Sequence, residues 1–472
     1  MKLIHWVYHL FSHQKGKEKT TNSPSKTTDY FGQQIARRYC FVAVSLFATQ
    51  GIVALLGAAD LIIPDLPSPI PFQYGRSIHL GLSILWPLIG TMGIAYYSVV
   101  VEIQSELFSK KIARWQFWIV LLLSLSLFGT LALRIGNGRE FFEGLPLIYM
   151  GIALSIALGA YNLLRTLISV KSRITPAAAI TTAGMCLLFL FLIPNVLTYQ
   201  NPIADEAVKF WVVHLWEELA FELTTAGFIS YFYVLSGIAT KQEMQRWLYL
   251  EATMTVVAGF LGTGHHYYWI GFPAYWLLLG TIFSVVEVIP VFLLVFLTYK
   301  GLKKKPKLNR RLKLTLWFIL SSLFHNVTGA SLLGLLISVP WISLYMHGTY
   351  FTSGHAHLAL FGALGFLVLG GGYHVLSKGS EPTPKAYTTV VIAILLLNIG
   401  LIAMALSLIV AGFIQIYLWR VLGMDFMDVH SLVHPYLITR AIGGSVFTLG
   451  DLLLGWQVYK VWKETRRTKR TA

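Results

Sequence analysis

Two adjacent histidines inside an apolar stretch, in Gly264-His265-His266-Tyr267-Tyr268-Trp269, are side chains that call for a metal. An imidazole placed in hydrocarbon is costly unless something binds it, so ionisable residues there mark functional centres. Four more histidines, His79, His214, His355 and His357, also sit in apolar segments. Imidazole binds copper, iron and zinc, and it is the usual axial ligand of haem. In His355-Ala356-His357 the two rings point about 200° apart on a helix, so one helix can serve two haems. His79 would complete the axial pair of one haem, leaving the other with an open face. His214, His265 and His266 would hold a second metal opposite that face.

The acidic residues narrow the choice of metal. His214, Glu218 and Glu222 are spaced i, i+4, i+8 and share one helix face. Glu287 lies in the middle of the apolar run Phe283-Ser284-Val285-Val286-Glu287. Imidazoles alone suit copper, whereas added carboxylate oxygen favours iron. Buried carboxyls also carry protons, and Glu287 has a structural alternative as a protonated, hydrogen-bonded group. Glu217 points off the His214 face and receives no role.

Positioning these residues takes a membrane bundle. Of 472 residues, 56% are hydrophobic and 12% charged. A spanning helix needs about 20 mostly apolar residues, and twelve stretches qualify: 39–62, 78–101, 115–135, 146–168, 176–197, 208–237, 248–269, 272–299, 314–338, 350–377, 386–412 and 436–459. The expected fold is therefore all-α, a polytopic bundle of about twelve transmembrane helices. His79 opens the second helix, His214 stands near the start of the sixth, His265 and His266 end the seventh, and His355 and His357 open the tenth. At about 1.5 Å per residue all six fall in one outer third of the bilayer.

The net charge of +16 is distributed as in a membrane protein, not as in a nucleic-acid binder. With the amino terminus inside, 31 of the 37 Lys and Arg residues fall on inner segments and 6 on outer ones. That is the positive-inside bias, and it places both termini in the cytoplasm of a multi-pass protein of a bacterial or archaeal cytoplasmic membrane. The domain reading is a basic arm over 1–38, a catalytic twelve-helix domain over 39–460 and a basic tail over 461–472. No signal peptide is expected, because His5 and His9 interrupt the first apolar residues. The longest outer connection, 412–435, holds Asp425, Asp428, His430 and His434 and reads as a polar surface loop. The two cysteines, Cys40 and Cys186, form neither a haem-attachment motif nor a copper loop. Electrons must then come from another polypeptide or from membrane quinol.

The chain resembles the catalytic subunit of the nitric oxide reductases, a branch of the haem–copper oxidase superfamily. The resemblance rests on Arg76-Ser77-Ile78-His79, His214-Leu215-Trp216-Glu217-Glu218, Gly264-His265-His266-Tyr267-Tyr268-Trp269-Ile270-Gly271, Phe283-Ser284-Val285-Val286-Glu287 and Gly354-His355-Ala356-His357. It implies that His79 and His357 ligate a low-spin haem b and His355 a high-spin haem b. It implies a non-haem iron on His214, His265, His266 and Glu287, with Glu218 and Glu222 beside the site helping to deliver protons. Arg76 and Arg139 would contact the haems, and Glu140, in Gly138-Arg139-Glu140-Phe141, would bind a structural calcium near their propionates. The implied reaction reduces two NO to N2O and water with two electrons and two protons, within a denitrifying respiratory chain. Two departures stand out: Glu217 replaces an apolar residue and Leu219 a glycine. The chain also lacks the long amino-terminal extension of the quinol-dependent members, which favours a small partner subunit carrying haem c or copper as electron donor.

Three other readings compete, one of them dismutation of NO to N2 and O2, against which the retention of all the histidines and Glu287 weighs. A terminal haem–copper oxygen reductase often carries a tyrosine four residues after the first metal histidine, where this chain has Glu218. One oxidase branch takes that tyrosine from the neighbouring helix, where Tyr267 and Tyr268 lie. A transporter would also have twelve helices and buried carboxyls, but it would leave six histidines as ion relays and the protein colourless.

Overall fold

A chain rich in Leu, Ile, Val, Phe and Ala satisfies its amides in hydrocarbon by forming helices, and this chain does so from end to end. The computed structural model describes residues 29–63, 66–197 and 199–471, and no strand occurs among them. Most of the expected basic arm, residues 1–28, lies outside the described residues.

The helices are α1 (Phe31–Ile62), α2 (Phe72–Glu102), α3 (Lys110–Ala132), α4 (Pro146–Val170) and α5 (Pro176–Leu192). Then follow α6 (Pro202–Leu215), α7 (Glu222–Leu235), α8 (Lys241–Gly262), α9 (Ala274–Lys303) and α10 (Arg310–His325). The short α11 (Gly334–Ser338) and α12 (Pro340–Met346) precede α13 (Tyr350–Ala356), α14 (Phe366–Leu376), α15 (Pro384–Gln415) and α16 (Phe426–Thr471). Wide π turns join α6 to α7 (Trp216–Phe221), α10 to α11 (Asn326–Leu333) and α13 to α14 (His357–Gly365). A fourth, Ile416–Val421, extends α15. Such turns are often found where a functional side chain must be re-aimed.

Ten helical segments among the described residues are long and apolar enough to cross a membrane. The other two expected spans, α6 through α7 and α8, are helical too but more polar. They carry Lys209, Glu217, Glu218 and Glu222, and Lys241, Glu243, Arg246 and Glu251. Of these, Glu218 is grouped with the site's histidines, whereas Lys241, Glu243 and Arg246 lie at the far end of α8 from His265.

Burial identifies the middle of the bundle. The most apolar window of α2 is 89% buried and that of Tyr350–Leu376 78%, against 28–56% for the other eight. The two enclosed segments are those that bring His79, His355 and His357. The face that carries Arg37, Lys241, Lys300 and Arg311 is tied together across helices: Lys300 Nζ meets Glu243 Oε1 at 2.7 Å, and Arg311 donates to the His374 carbonyl at 2.7 Å. We call it the basic face.

Two expectations need correction. The 412–435 connection is not a long loop. The apolar and aromatic run Ile416–Val421 continues α15, and α16 begins at Phe426, so only 422–425 remain between them. The basic tail is not set off from the last span, because α16 runs on to Thr471.

Candidate metal and haem centre

His214 ends α6, and the π turn that follows carries Glu218 back beneath it. Trp216 anchors the turn, its indole donating to the Leu188 carbonyl at 3.0 Å. Leu219 packs so closely on α8 that a Cβ at Gly259 would stand 2.7 Å from its side chain. Glu218 Oε2 lies 3.3 Å from His214 Nδ1, and Glu218 Oε1 lies 3.8 Å from His265 Nε2.

His265 and His266 close α8 in a tight terminal turn. At Gly280, in α9, a Cβ would run into the His265 backbone, so glycine there lets the two helices touch. Ser284 donates to the Gly280 carbonyl at 2.7 Å, and its oxygen accepts from His265 Nδ1 at 2.9 Å. That bond puts the proton on Nδ1 and turns a bare Nε2 toward the cluster. His265 Nε2 and His266 Nε2 face each other at 2.9 Å. Donor atoms of His214, Glu218, His265 and His266 all lie within 4.8 Å of one another, the one such group among the described residues. Neither ring nitrogen of the buried His214 makes a hydrogen bond. Converging imidazole nitrogens beside one carboxylate are a donor set for a transition metal.

The resemblance implies Glu287 as the carboxylate beside the three histidines, and the residue that the structure groups with them is Glu218. Glu287 stands behind Glu218, in contact with it, and its Oε1 is buried without a partner. Glu218 sits in the π turn that directly follows His214, whereas Glu287 comes from α9.

The other three histidines occupy the enclosed helices. His355 Nδ1 donates to the Gly329 carbonyl at 3.0 Å and His357 Nδ1 to the Ser353 carbonyl at 2.7 Å, leaving each Nε2 free. His355 is within electrostatic reach of Glu218, His265 and His266. His79 and His357 have ring centres 6.3 Å apart. Two imidazoles on opposite sides of one metal stand about 4 Å apart between nitrogens, at about 2 Å per bond. Adding the distance from nitrogen to ring centre on each side brings the separation to about what is seen. Two adjoining apolar pockets share Ile84, Phe142 and Trp216, and Leu360 and Leu364 of the His357–Gly365 turn line the first. Glu217 lines the first, on the side away from His214. The free Nε2 atoms of His355 and His357 and the pairing of the His79 and His357 rings are features that suit haem ligation.

Arg76 and Arg139 are engaged by protein partners. Arg76 Nη2 meets Glu140 Oε1 at 2.5 Å, and Lys209 stands 3.8 Å from the other Glu140 oxygen. Arg139 is gripped by Asp205 at 3.0 Å and by the Asn195 carbonyl at 3.1 Å. Glu140 is thus paired with cations and belongs to no convergent donor group among the described residues. Beyond the residues singled out from sequence lie Glu251, buried on α8, and Gln50, whose amide reaches the His79 carbonyl at 3.1 Å. Glu251 was visible in principle as an acid within Leu248-Tyr249-Leu250-Glu251-Ala252-Thr253.

Comparison with known proteins agrees with this architecture. The family model described as cytochrome c and quinol oxidase polypeptide I matches residues 34–446, and the chain belongs to that family. It is a multi-pass membrane oxidoreductase of the haem–copper oxidase superfamily. A nitric oxide reductase subunit of Stutzerimonas stutzeri is 30% identical over 443 residues, covering 89% of this chain and 92% of that protein. A Cbb3-type cytochrome c oxidase subunit, CcoN1, of the same organism is 23% identical over 479 residues, covering 94% and 97%. A chain of a haem–copper terminal oxidase dimer solved by cryo-electron microscopy superposes with a TM-score of 0.73 at 14% identity, covering 92% of this chain and 84% of that one.

Proposed function

We propose that this protein reduces nitric oxide, joining two NO into N2O and releasing water with two electrons and two protons. The observation that carries the reading is the Glu218 carboxylate among the His214, His265 and His266 imidazoles. An oxygen donor in an imidazole site favours iron over copper. The nitric oxide reductase among its relatives supports the same reading.

In this reading His79 and His357 hold a low-spin haem b and His355 a high-spin haem b, while His214, Glu218, His265 and His266 hold a non-haem iron. The haems and the iron would supply electrons and two adjacent sites at which two NO nitrogens meet, a gain in proximity. The chain does the rest. Ser284, Gly329 and Ser353 fix which nitrogen of His265, His355 and His357 is free. Leu360 and Leu364 line an apolar pocket with Val213 and Trp216, the neighbours of His214 in sequence. The N–N bond forms as one N–O bond breaks, and the departing oxygen takes both protons as water, with Glu222 and Glu287 as the nearest further carboxyls. Electrons arrive from a smaller subunit carrying haem c or copper, or from quinol. The positive-inside bias sets the basic face in the cytoplasm, with both termini there.

An oxygen reductase remains the second reading, because oxidase subunits are also among the relatives. Against it, the Tyr268 hydroxyl is turned to the Ser338 carbonyl, and the Tyr267 ring stacks on Phe272 at 4.5 Å. The deciding experiment is elemental analysis of purified protein against its haem b content. About three irons for every two haems, without copper, supports NO reduction. Two irons with one copper makes it an oxygen reductase. Absence of haem overturns both.

A further inference from the structure

The segment 300–313, which joins α9 to α10 on the basic face, has eight Lys and Arg among its fourteen residues and no acid. The acids nearest to it are engaged already: Glu243 binds Lys300 at 2.7 Å, and Glu381 accepts the Arg310 amide at 2.7 Å. Arg311 is held by the His374 carbonyl. Lys303, Lys304, Lys305, Lys307 and Lys313 are exposed and form no ion pair among the described residues. The loop is compact. The Lys304 and Lys305 amides donate back to the Gly301 and Leu302 carbonyls, and Lys305, at φ +50°, turns the chain into Pro306. Like charges gathered in this way repel one another unless an anion lies among them.

Toward the middle of the bundle the same two helices present hydrocarbon. Phe292, Phe296 and Tyr299 are exposed along one face of α9, and Trp317 is exposed in α10, one turn after Lys313. Lys303 Nζ lies 4.4 Å from the centre of the Tyr299 ring. Aromatic rings beside cations at the end of a spanning helix mark the headgroup layer. The most apolar windows of α9 and of Arg310–Ser338 are each 28% buried, the least of the ten spans. Six residues join α9 to α10, yet α9 packs on α8 and α11, and α10 on α14 and α15, more than on each other. Their inner ends therefore share lysines above surfaces left to lipid.

We propose that the 300–313 loop is a binding site for an anionic phospholipid of the leaflet at the basic face. The lipid phosphate sits among Lys303, Lys304, Lys305 and Lys307, and the acyl chains run along Phe292, Phe296 and Tyr299. Basic clusters at the ends of spanning helices attract anionic headgroups in this way. A zwitterionic lipid carries its own cation and gains less from the same lysines. Not every lysine of this face is so placed, since Lys110, at the start of α3, is paired with Glu106 at 3.5 Å. The site is independent of which gas the metal centre reduces.

The test is native mass spectrometry of the purified full-length protein, stripped of lipid in detergent and then offered equal amounts of phosphatidylglycerol and phosphatidylcholine. Phosphatidylglycerol should be retained in preference. Lys303→Gln, Lys304→Gln, Lys305→Gln and Lys307→Gln, combined in steps, should lower that preference by about fivefold for each lysine removed. Arginine at the same four positions should keep it, and so should the control Lys110→Gln with Lys111→Gln. Raising the salt concentration should release phosphatidylglycerol from the unaltered protein, a second readout should the glutamine variants fail to assemble. Glycerol 3-phosphate, the charged headgroup without chains, should leave the lipid in place. Equal retention of the two lipids, or retention that neither salt nor the four glutamines alter, overturns the proposal. So does an equal loss in the Lys110 and Lys111 control, which would make the preference a property of the whole basic face. Displacement by glycerol 3-phosphate at matched concentration also overturns it, because the loop would then be a site for free phosphate and not for lipid.

Discussion

His265 Nε2 and His266 Nε2 face each other at 2.9 Å, although the two residues are neighbours in sequence. Adjacent residues on a regular helix diverge by about 100°; the tight turn that ends α8 brings these two rings onto one point. Two bare nitrogens so close repel unless a proton or a metal lies between them. The Ser284 hydroxyl holds this arrangement by taking the proton of His265 Nδ1 as a hydrogen bond. Ser284→Ala should therefore weaken metal retention by about 10- to 100-fold, measured as metal remaining after dialysis against graded chelator. The haem content should not change.

Glu218 and Glu287 make opposite predictions. With Glu218 as the oxygen donor, Glu218→Gln empties the non-haem site while Glu287→Gln keeps its metal. Elemental analysis of both purified variants decides between them. Metal loss in Glu287→Gln alone would return the ligand role to Glu287.

The haem assignments separate by spectrum. His357→Ala should remove the low-spin haem signal and leave the high-spin one, because His357 shares its ring pairing with His79. His355→Ala should do the reverse, since His355 is within electrostatic reach of the metal cluster. Absorption and electron paramagnetic resonance spectra of the two variants read this directly. Loss of both signals in either variant would mean that the helix, and not the ligand, had failed.

The histidines were legible in the sequence because imidazoles in hydrocarbon are rare and each fell within a recognisable span. The twelve helical segments were legible for the same reason of composition. The grouping of Glu218 with the histidines was not, because counting i, i+4 places Glu218 and Glu222 on the same face and says nothing of the π turn that sets Glu218 beside His214 and His265 while Glu222 reaches Thr255. The 412–435 loop failed because Asp425, Asp428, His430 and His434 look like surface polarity, yet three of the four sit in the first turns of α16. The partners of Arg76 and Arg139 were not legible, because Glu140, Asp205 and Asn195 lie 56 to 66 residues away.

The contact between α8 and α9 gives the sharpest prediction about stability. At Gly280 a Cβ would meet the His265 backbone, and at Gly264 it would meet the Trp276 carbonyl. Backbone cannot give way as a side-chain tip can, so Gly280→Ala must push the helix ends apart. Overpacking of this kind costs about 1–3 kcal/mol, and here it also tilts His265 away from His214 and Glu218. The expected result is a lower unfolding temperature together with loss of the non-haem metal. Gly129→Ala is the control, because nothing lies within 4 Å of its Cβ position in α3. There the gain in helix propensity, about 1 kcal/mol, should leave stability equal or higher and metal content unchanged. Equal behaviour of the two variants in thermal unfolding and elemental analysis would show that the α8–α9 contact does not set the geometry of the metal site.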